Sequence, residues 1–106
     1  MKYDVYYTRS IVPLRHHFVD ADLEFRPGET HAFIRQVEAD NLAEVYRQMQ
    51  GFVWSPNGEA RDLIRAAGVS HTSMSVGDVA VDADGRAWVC ASRGWIETRA
   101  ITETDS

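Results

Sequence analysis

The chain is poor in the features that would fix its class at a glance. It has a single cysteine, Cys90, so no disulfide can form within it, and a lone thiol points to a reducing compartment. No apolar run approaches the ~18 residues that span a bilayer. The start, Met1-Lys2-Tyr3-Asp4-Val5, lacks the long apolar region of a signal peptide. We therefore read a cytoplasmic protein without membrane contact. The phosphate-cradling motifs are missing too, with no Walker loop and no Gly-x-Gly-x-x-Gly. There is no Gly-x-Ser-x-Gly elbow, no His-x-x-x-His, no cysteine pair and no EF-hand loop, so the standard nucleophile, zinc and calcium patterns are excluded. No cofactor and no metal are implied.

What remains is ordinary globular material. At 106 residues the chain is expected to be one α+β domain, residues 1–106. A domain of this size buries roughly two-thirds of its unfolded surface, enough for a core without staples. Its 44% hydrophobic content excludes the disordered class, which has too little apolar surface to bury. The formal charge of −5 disfavours non-specific binding along nucleic-acid phosphate, which Lys and Arg drive by releasing counterions. It leaves room for a local basic patch. It also suits a protein that docks on a basic surface, including a nucleic-acid-binding enzyme whose ligand it would exclude.

Lys2–Thr8 alternates, with Tyr3, Val5 and Tyr7 on one side, and reads as a strand with one buried face. Residues 9–23 are irregular, and Pro27-Gly28 is a turn. A second strand is expected over 30–37, with Phe33 and Ile34 as its strongest apolar positions. Asn41 with Glu44 resembles a capping box, and Leu42, Val45, Tyr46 and Met49 then form one helical stripe. Gly51 is expected to end that helix in the left-handed conformation. Phe52-Val53-Trp54 is a short apolar piece, and Ser55-Pro56-Asn57-Gly58 is a turn. Ala60, Leu63, Ile64 and Ala67 make a second stripe, closed by Gly68. Residues 75–81 and 86–91 read as a hairpin across 82–85, where Asp-Gly suits positive φ. Gly94-Trp95-Ile96 adds a last short strand, and the polar tail 97–106 is expected to fray. The predicted fold class is α+β: a small mixed or antiparallel sheet, two helices packed on one face, and a C-terminal β-hairpin.

Tyr46, Phe33 and Trp88 are expected in the core. Trp54 and Trp95 stand beside turn residues and are candidates for an exposed contact surface. Cys90, inside Trp88-Val89-Cys90-Ala91, reads as a small core hydrophobe. The hydroxyls of His71-Thr72-Ser73-Met74-Ser75 sit near an imidazole, but they are expected to satisfy backbone groups rather than to attack a substrate. His16-His17 with Asp20, Asp22 and Glu24 matches no metal spacing and reads as solvated surface. Arg61 and Arg65 lie one turn apart on one helix face. With Arg47 they could form an anion-binding patch, or they are simply solvated.

The string His71-Thr72-Ser73-Met74-Ser75-Val76-Gly77-Asp78-Val79 is followed by a Gly-containing turn, Ala87-Trp88-Val89-Cys90 and Gly94-Trp95. Together these resemble the YodL-like domain and related small proteins of bacterial plasmids and phages. The helix start at Val37-Glu38-Ala39-Asp40-Asn41-Leu42 is similar as well, so the resemblance spans about residues 30–97. The Ser-Val-Gly-Asp-Val core also resembles strings in PUA-like and ASCH-like RNA-binding barrels. The family implies no shared catalytic residue. What it implies is context, an accessory gene of a mobile element, where small acidic proteins often inhibit host defence.

Two functions follow as expectations, neither of them enzymatic. In the first, the chain binds a protein partner, a basic nucleic-acid-targeting effector of the CRISPR or restriction type. Asp20, Asp22 and Glu24 would meet its groove, with Trp54 or Trp95 as apolar anchor. In the second, it is a small nucleic-acid-binding module resembling PUA or ASCH domains, contacting base or phosphate through His71, Thr72, Ser73, Arg61 and Arg65. An exposed apolar sheet face would favour a symmetric homodimer.

Overall fold

A computed structural model of the chain describes residues 1–9, 25–92 and 94–98. Among them, Lys2–Thr8 forms β1 and His31–Glu38 forms β2. Three short helices follow: α1 (Leu42–Gln48), α2 (Gly51–Trp54) and α3 (Arg61–Ala66). The strands β3 (Val79–Val81), β4 (Ala87–Ala91) and β5 (Gly94–Thr98) complete a five-stranded sheet in the order β2-β1-β3-β4-β5, with every pair antiparallel. The fold is thus α+β, and none of its described helices is long and apolar enough to cross a membrane.

The alternation of β1 works as the pleat requires. Tyr3, Val5 and Tyr7 enter the main core, which they share with Ile34 and Val37 of β2, Val45 of α1, Met49, Ile64 of α3 and Ala80 of β3. The opposite face carries a smaller core of Phe25, Val79, Ala87 and Val89, against which Tyr6, Val81 and Ile96 pack. Tyr6, Val79, Val89 and Ile96 are successive cross-strand partners, so one row of the sheet builds that core.

Phe33 corrects a core expectation. The β1–β2 register slips between Val5 and Tyr6, which pair with Arg35 and Phe33 and leave Ile34 as the extra residue of a bulge. Phe33, as the cross-strand partner of Tyr6, shares that residue's face, and Ile34 beside it takes the other. Ile34 takes the main core at 4% exposure, while Phe33 is 52% exposed and lies edge-on to Tyr6 with ring centroids 5.6 Å apart. Tyr46 is a second correction, at 42% exposure. Successive helix residues are rotated by about 100°, so Val45 and Met49 occupy the buried line and Tyr46 falls on its flank. Leu63 is likewise exposed, because Ala60 and Ile64 fill the inward line of α3. Trp88 is half-buried, its Nε1 donating to Asp82 Oδ2 at 3.1 Å.

Gly51 does not end α1 in the left-handed region. Helix α1 closes at Met49 (φ −89°, ψ 8°), and Gly51 begins α2. Its need for glycine is one of space, since a Cβ there would lie 3.1 Å from Ser73 Oγ. The Asn41 cap is present, with Oδ1 accepting from Glu44 N at 2.8 Å. Glu44 turns toward Arg47 instead of back to the cap. The expected strand over 75–81 shortens to Val79–Val81. Glu97 and Thr98 belong to β5, paired with Trp88 and Ala87, so the tail does not fray from 97.

Candidate functional site

The segment between α3 and β3 is held by one buried carboxylate. Asp78 Oδ1 accepts the Thr8 backbone N–H at 2.8 Å. Its Oδ2 accepts Ser75 N at 2.7 Å and faces His71 Nε2 at 2.8 Å. The His71 ring stacks on Tyr7, with centroids 4.7 Å apart. A carboxylate that gathers two backbone amides and an imidazole offers residues 75–77 an alternative to sheet pairing, which is why the strand starts late. Gly77 then takes φ +99°, and its carbonyl accepts from His31 Nε2 at 2.8 Å. A carbonyl only accepts, so that nitrogen carries the proton. Neutral His31 therefore accepts from Thr30 Oγ1 at its Nδ1, 2.7 Å away. Burial lowers its pKa, in keeping with a neutral ring.

Tyr7 and Trp54 tie this loop to the helices. The Tyr7 hydroxyl donates to the Thr72 carbonyl at 2.8 Å and to the Met49 carbonyl at 3.2 Å. Trp54 Nε1 donates to the same two carbonyls, at 3.1 Å each. Burial, reinforced by the Asp78 charge, pushes the Tyr7 phenol far above its ordinary pKa, so it stays a donor. Ser73 Oγ accepts Gly51 N at 2.7 Å, and Ser75 Oγ donates to the Ser73 carbonyl at 3.0 Å. Both serine hydroxyls of the 71–75 string are thus engaged with backbone.

These ties position part of a cleft of about 580 Å³, whose lining includes Gly51, Gly58, Arg61, Arg65, Ser70 and Thr72. Buried Ile64 and Val69 contribute its apolar lining. Ser55 Oγ accepts Ala60 N at 2.9 Å and so fixes the start of α3. The Arg61 guanidinium lies over Gly58, where a Cβ would come within 3.3 Å of its Nη2. Neither Arg61 nor Arg65 forms an ion pair with any described residue. Arg9 lies against Gly68, another lining residue: a Cβ there would be 3.4 Å from Arg9 Nε. That nitrogen is buried and has no hydrogen-bond partner among the described residues.

The structure therefore brings Arg61, Arg65 and Thr72 together, and Ser73 holds Gly51 of the same lining. His71 anchors the loop and is not among the lining residues. Arg47 does not join them. It pairs with Glu44 on α1, its Nε 2.9 Å from Oε2, and this hydrogen bond holds the Glu44 carboxyl down to about 2. The residues that sequence reading missed are Gly58, Gly68, Ser70 and Arg9. The Ser-Pro-Asn-Gly turn marked Gly58 and the end of the second stripe marked Gly68, each as a turn or helix stop and not as a site; Ser70 and Arg9 carried no local signal.

Trp54 and Trp95 are half-buried against the main core rather than free. Trp95, with Tyr46 and Cys90, borders a second hollow of about 350 Å³. Burial, then the Asp78 charge, pushes the Cys90 thiol up to about 11. Asp20, Asp22 and Glu24, like His16 and His17, lie outside the described residues. Comparison with protein-family models, with curated proteins and with solved structures finds no match for this chain.

Proposed function

We propose that the chain is a non-enzymatic binding module that recognises phosphate of a nucleic acid through the Arg61–Arg65–Thr72 cleft. The observation that carries this reading is the pair of guanidiniums one turn apart, lining a concavity with no carboxylate partner among the described residues. Guanidinium forks match phosphate oxygens, and Ser70 and Thr72 add hydroxyl-bearing residues to the same lining. The reading takes the scaffold as two layers, helices on the Tyr3–Val5–Tyr7 face, with the C-terminal β-hairpin supplying the Asp78 anchor. A net charge of −5 is compatible with it, because the positive charge needed is local. The test is fluorescence anisotropy with a labelled single-stranded oligonucleotide at low and moderate salt. Binding that falls at least about tenfold in Arg61→Ala/Arg65→Ala supports the reading, a loss of the size expected for charge-assisted pairs. Absence of binding, or binding unchanged in that variant, overturns it.

The chain's acidity favours a second reading. In it the protein is a phage- or plasmid-borne inhibitor that blocks a basic nucleic-acid-targeting complex, in line with its resemblance to YodL-like proteins. Asp20, Asp22 and Glu24 supply the charge. A tagged chain should then retain a restriction or CRISPR component from host lysate after nuclease treatment, and Asp20→Lys or Glu24→Lys should release it. Capture that vanishes with nuclease would sink this reading.

A further inference from the structure

We infer that the ligand of this cleft presents a terminal phosphate, a phosphate monoester, rather than the diester backbone of a polymer. The inference rests on the phosphate-binding reading above and narrows its ligand class. Its first support is the small number of guanidiniums that line the cleft. Among the described residues, Arg47 is paired with Glu44, Arg26 with Glu29 at 4.0 Å, and Arg35 sits over the Trp54 ring at 5.4 Å. Arg86 lies at the 82–86 turn, next to Asp82. Tracking a diester over several nucleotides takes a stripe of cations, roughly one for each phosphate neutralised. Here the cleft carries just two guanidiniums, Arg61 and Arg65, one turn apart, while Lys2 and Arg86 stand elsewhere in the fold.

The second support is charge matching. A monoester carries about −1.5 to −2 at neutral pH, against −1 for a diester. Arg61 and Arg65 stand i, i+4 on α3 and can engage such a group from adjacent positions. Arg9 adds a third guanidinium behind Gly68, with a buried Nε that no described residue satisfies. The Arg9 Nη1 donates to the Gly28 and Glu29 carbonyls at 3.4 and 3.5 Å, which anchors the side chain at that turn and leaves its Nε against Gly68. The third support is the rest of the lining. Ile64 and Val69 contribute an apolar lining beside the two guanidiniums, against which the ester's organic portion can rest. The shared chemistry is a phosphate monoester; a free nucleotide and a 5′-phosphorylated strand end are its two sources.

The test compares two labelled oligonucleotides of one sequence, one with a 5′-phosphate and one with a 5′-hydroxyl, on the full chain. Adenosine 5′-monophosphate, adenosine and inorganic phosphate serve as competitors. The 5′-phosphorylated strand should bind at least about tenfold more tightly, a difference worth ~1.4 kcal/mol. The preference should disappear in Arg61→Ala and Arg65→Ala and shrink in Arg9→Gln, whereas Arg86→Ala should retain it. Competition by adenosine 5′-monophosphate but not adenosine would identify a free nucleotide as sufficient. Competition by neither, with the 5′-phosphate preference intact, would identify the strand end. Equal affinity for both strands, still dependent on Arg61 and Arg65, would overturn the monoester inference and leave the phosphate reading standing. No binding to any probe would overturn both.

Discussion

Asp78 and His71 are joined at 2.8 Å, a fully buried carboxylate against an imidazole whose side chain is 26% exposed. The pair spans only seven residues, yet it connects the interior to the cleft loop, because the same carboxylate also holds the Thr8 amide of β1. Loop 71–78 is therefore held largely by side chains, with Asp78 at one end and Tyr7, Trp54 and Ser73 along it.

Asp78→Asn should destabilise the chain by about 2–3 kcal/mol, the scale of leaving a buried hydrogen-bonding group unsatisfied. The amide can still accept Thr8 N through its oxygen, but its NH₂ would then face the Ser75 N–H, donor against donor. A free energy of unfolding in urea that falls by less than a tenth of this amount would show that Asp78 is not the anchor.

His31 makes stability depend on pH. Burial lowers its pKa below the ordinary 6.5, so the unfolded chain binds the proton more readily than the folded one. Its stabilising contribution is complete above that value and is lost as pH falls through the range beneath it. Unfolding free energy should decline from about pH 7.5 to about pH 5, and His31→Gln, which can still donate to the Gly77 carbonyl, should flatten the slope. An unchanged slope in the variant would assign the dependence to other groups.

Replacing glycine inside a helix by alanine usually stabilises by about 0.5–1 kcal/mol. Gly51→Ala should do the opposite, by about 1 kcal/mol, because the new methyl meets Ser73 Oγ and strains its bond to Gly51 N. In a Ser73→Ala background that Oγ is gone, and the same substitution should become neutral or stabilising. Additive effects in this double-mutant cycle would remove the argument.

Cys90 should react slowly with a thiol reagent at neutral pH. It is buried, and with a thiol pushed up to about 11 it holds very little of the nucleophilic thiolate. Labelling should accelerate by orders of magnitude in denaturant. Fast labelling of the folded chain would contradict both its burial and its environment.

Arg61→Ala and Arg65→Ala should change stability by no more than about 0.5 kcal/mol, since both side chains are exposed and have no ion pair among the described residues. Thermal melts of the two variants should overlay the parent. A large loss would mean that these arginines hold the fold rather than a ligand.

Local chemistry alone determined much of the framework. The period-two alternation of Lys2–Thr8 commits Tyr3, Val5 and Tyr7 to one face in any sheet. Asn41 caps α1 because its side chain reaches its own helix's first amides, a bond three residues long. The strand character of 87–91 and of Gly94-Trp95-Ile96 was equally legible. Other choices depended on partners distant in the chain. Phe33 and Ile34 are both strong core candidates, and only the bulge opposite Val5 and Tyr6 decided which turned inward. Gly51 met the local requirements of a helix stop, but its role was set by Ser73, 22 residues away. Arg61 and Arg65 share a helix face by spacing alone, whereas their meeting with Thr72 in one cleft needed Tyr7 and Trp54 to bind the carbonyls of Met49 and Thr72 together. Periodicity and caps are interactions within a turn or a pleat, so they are written in neighbouring residues. A cleft exists only once separate segments have been brought into contact, and tertiary packing alone does that.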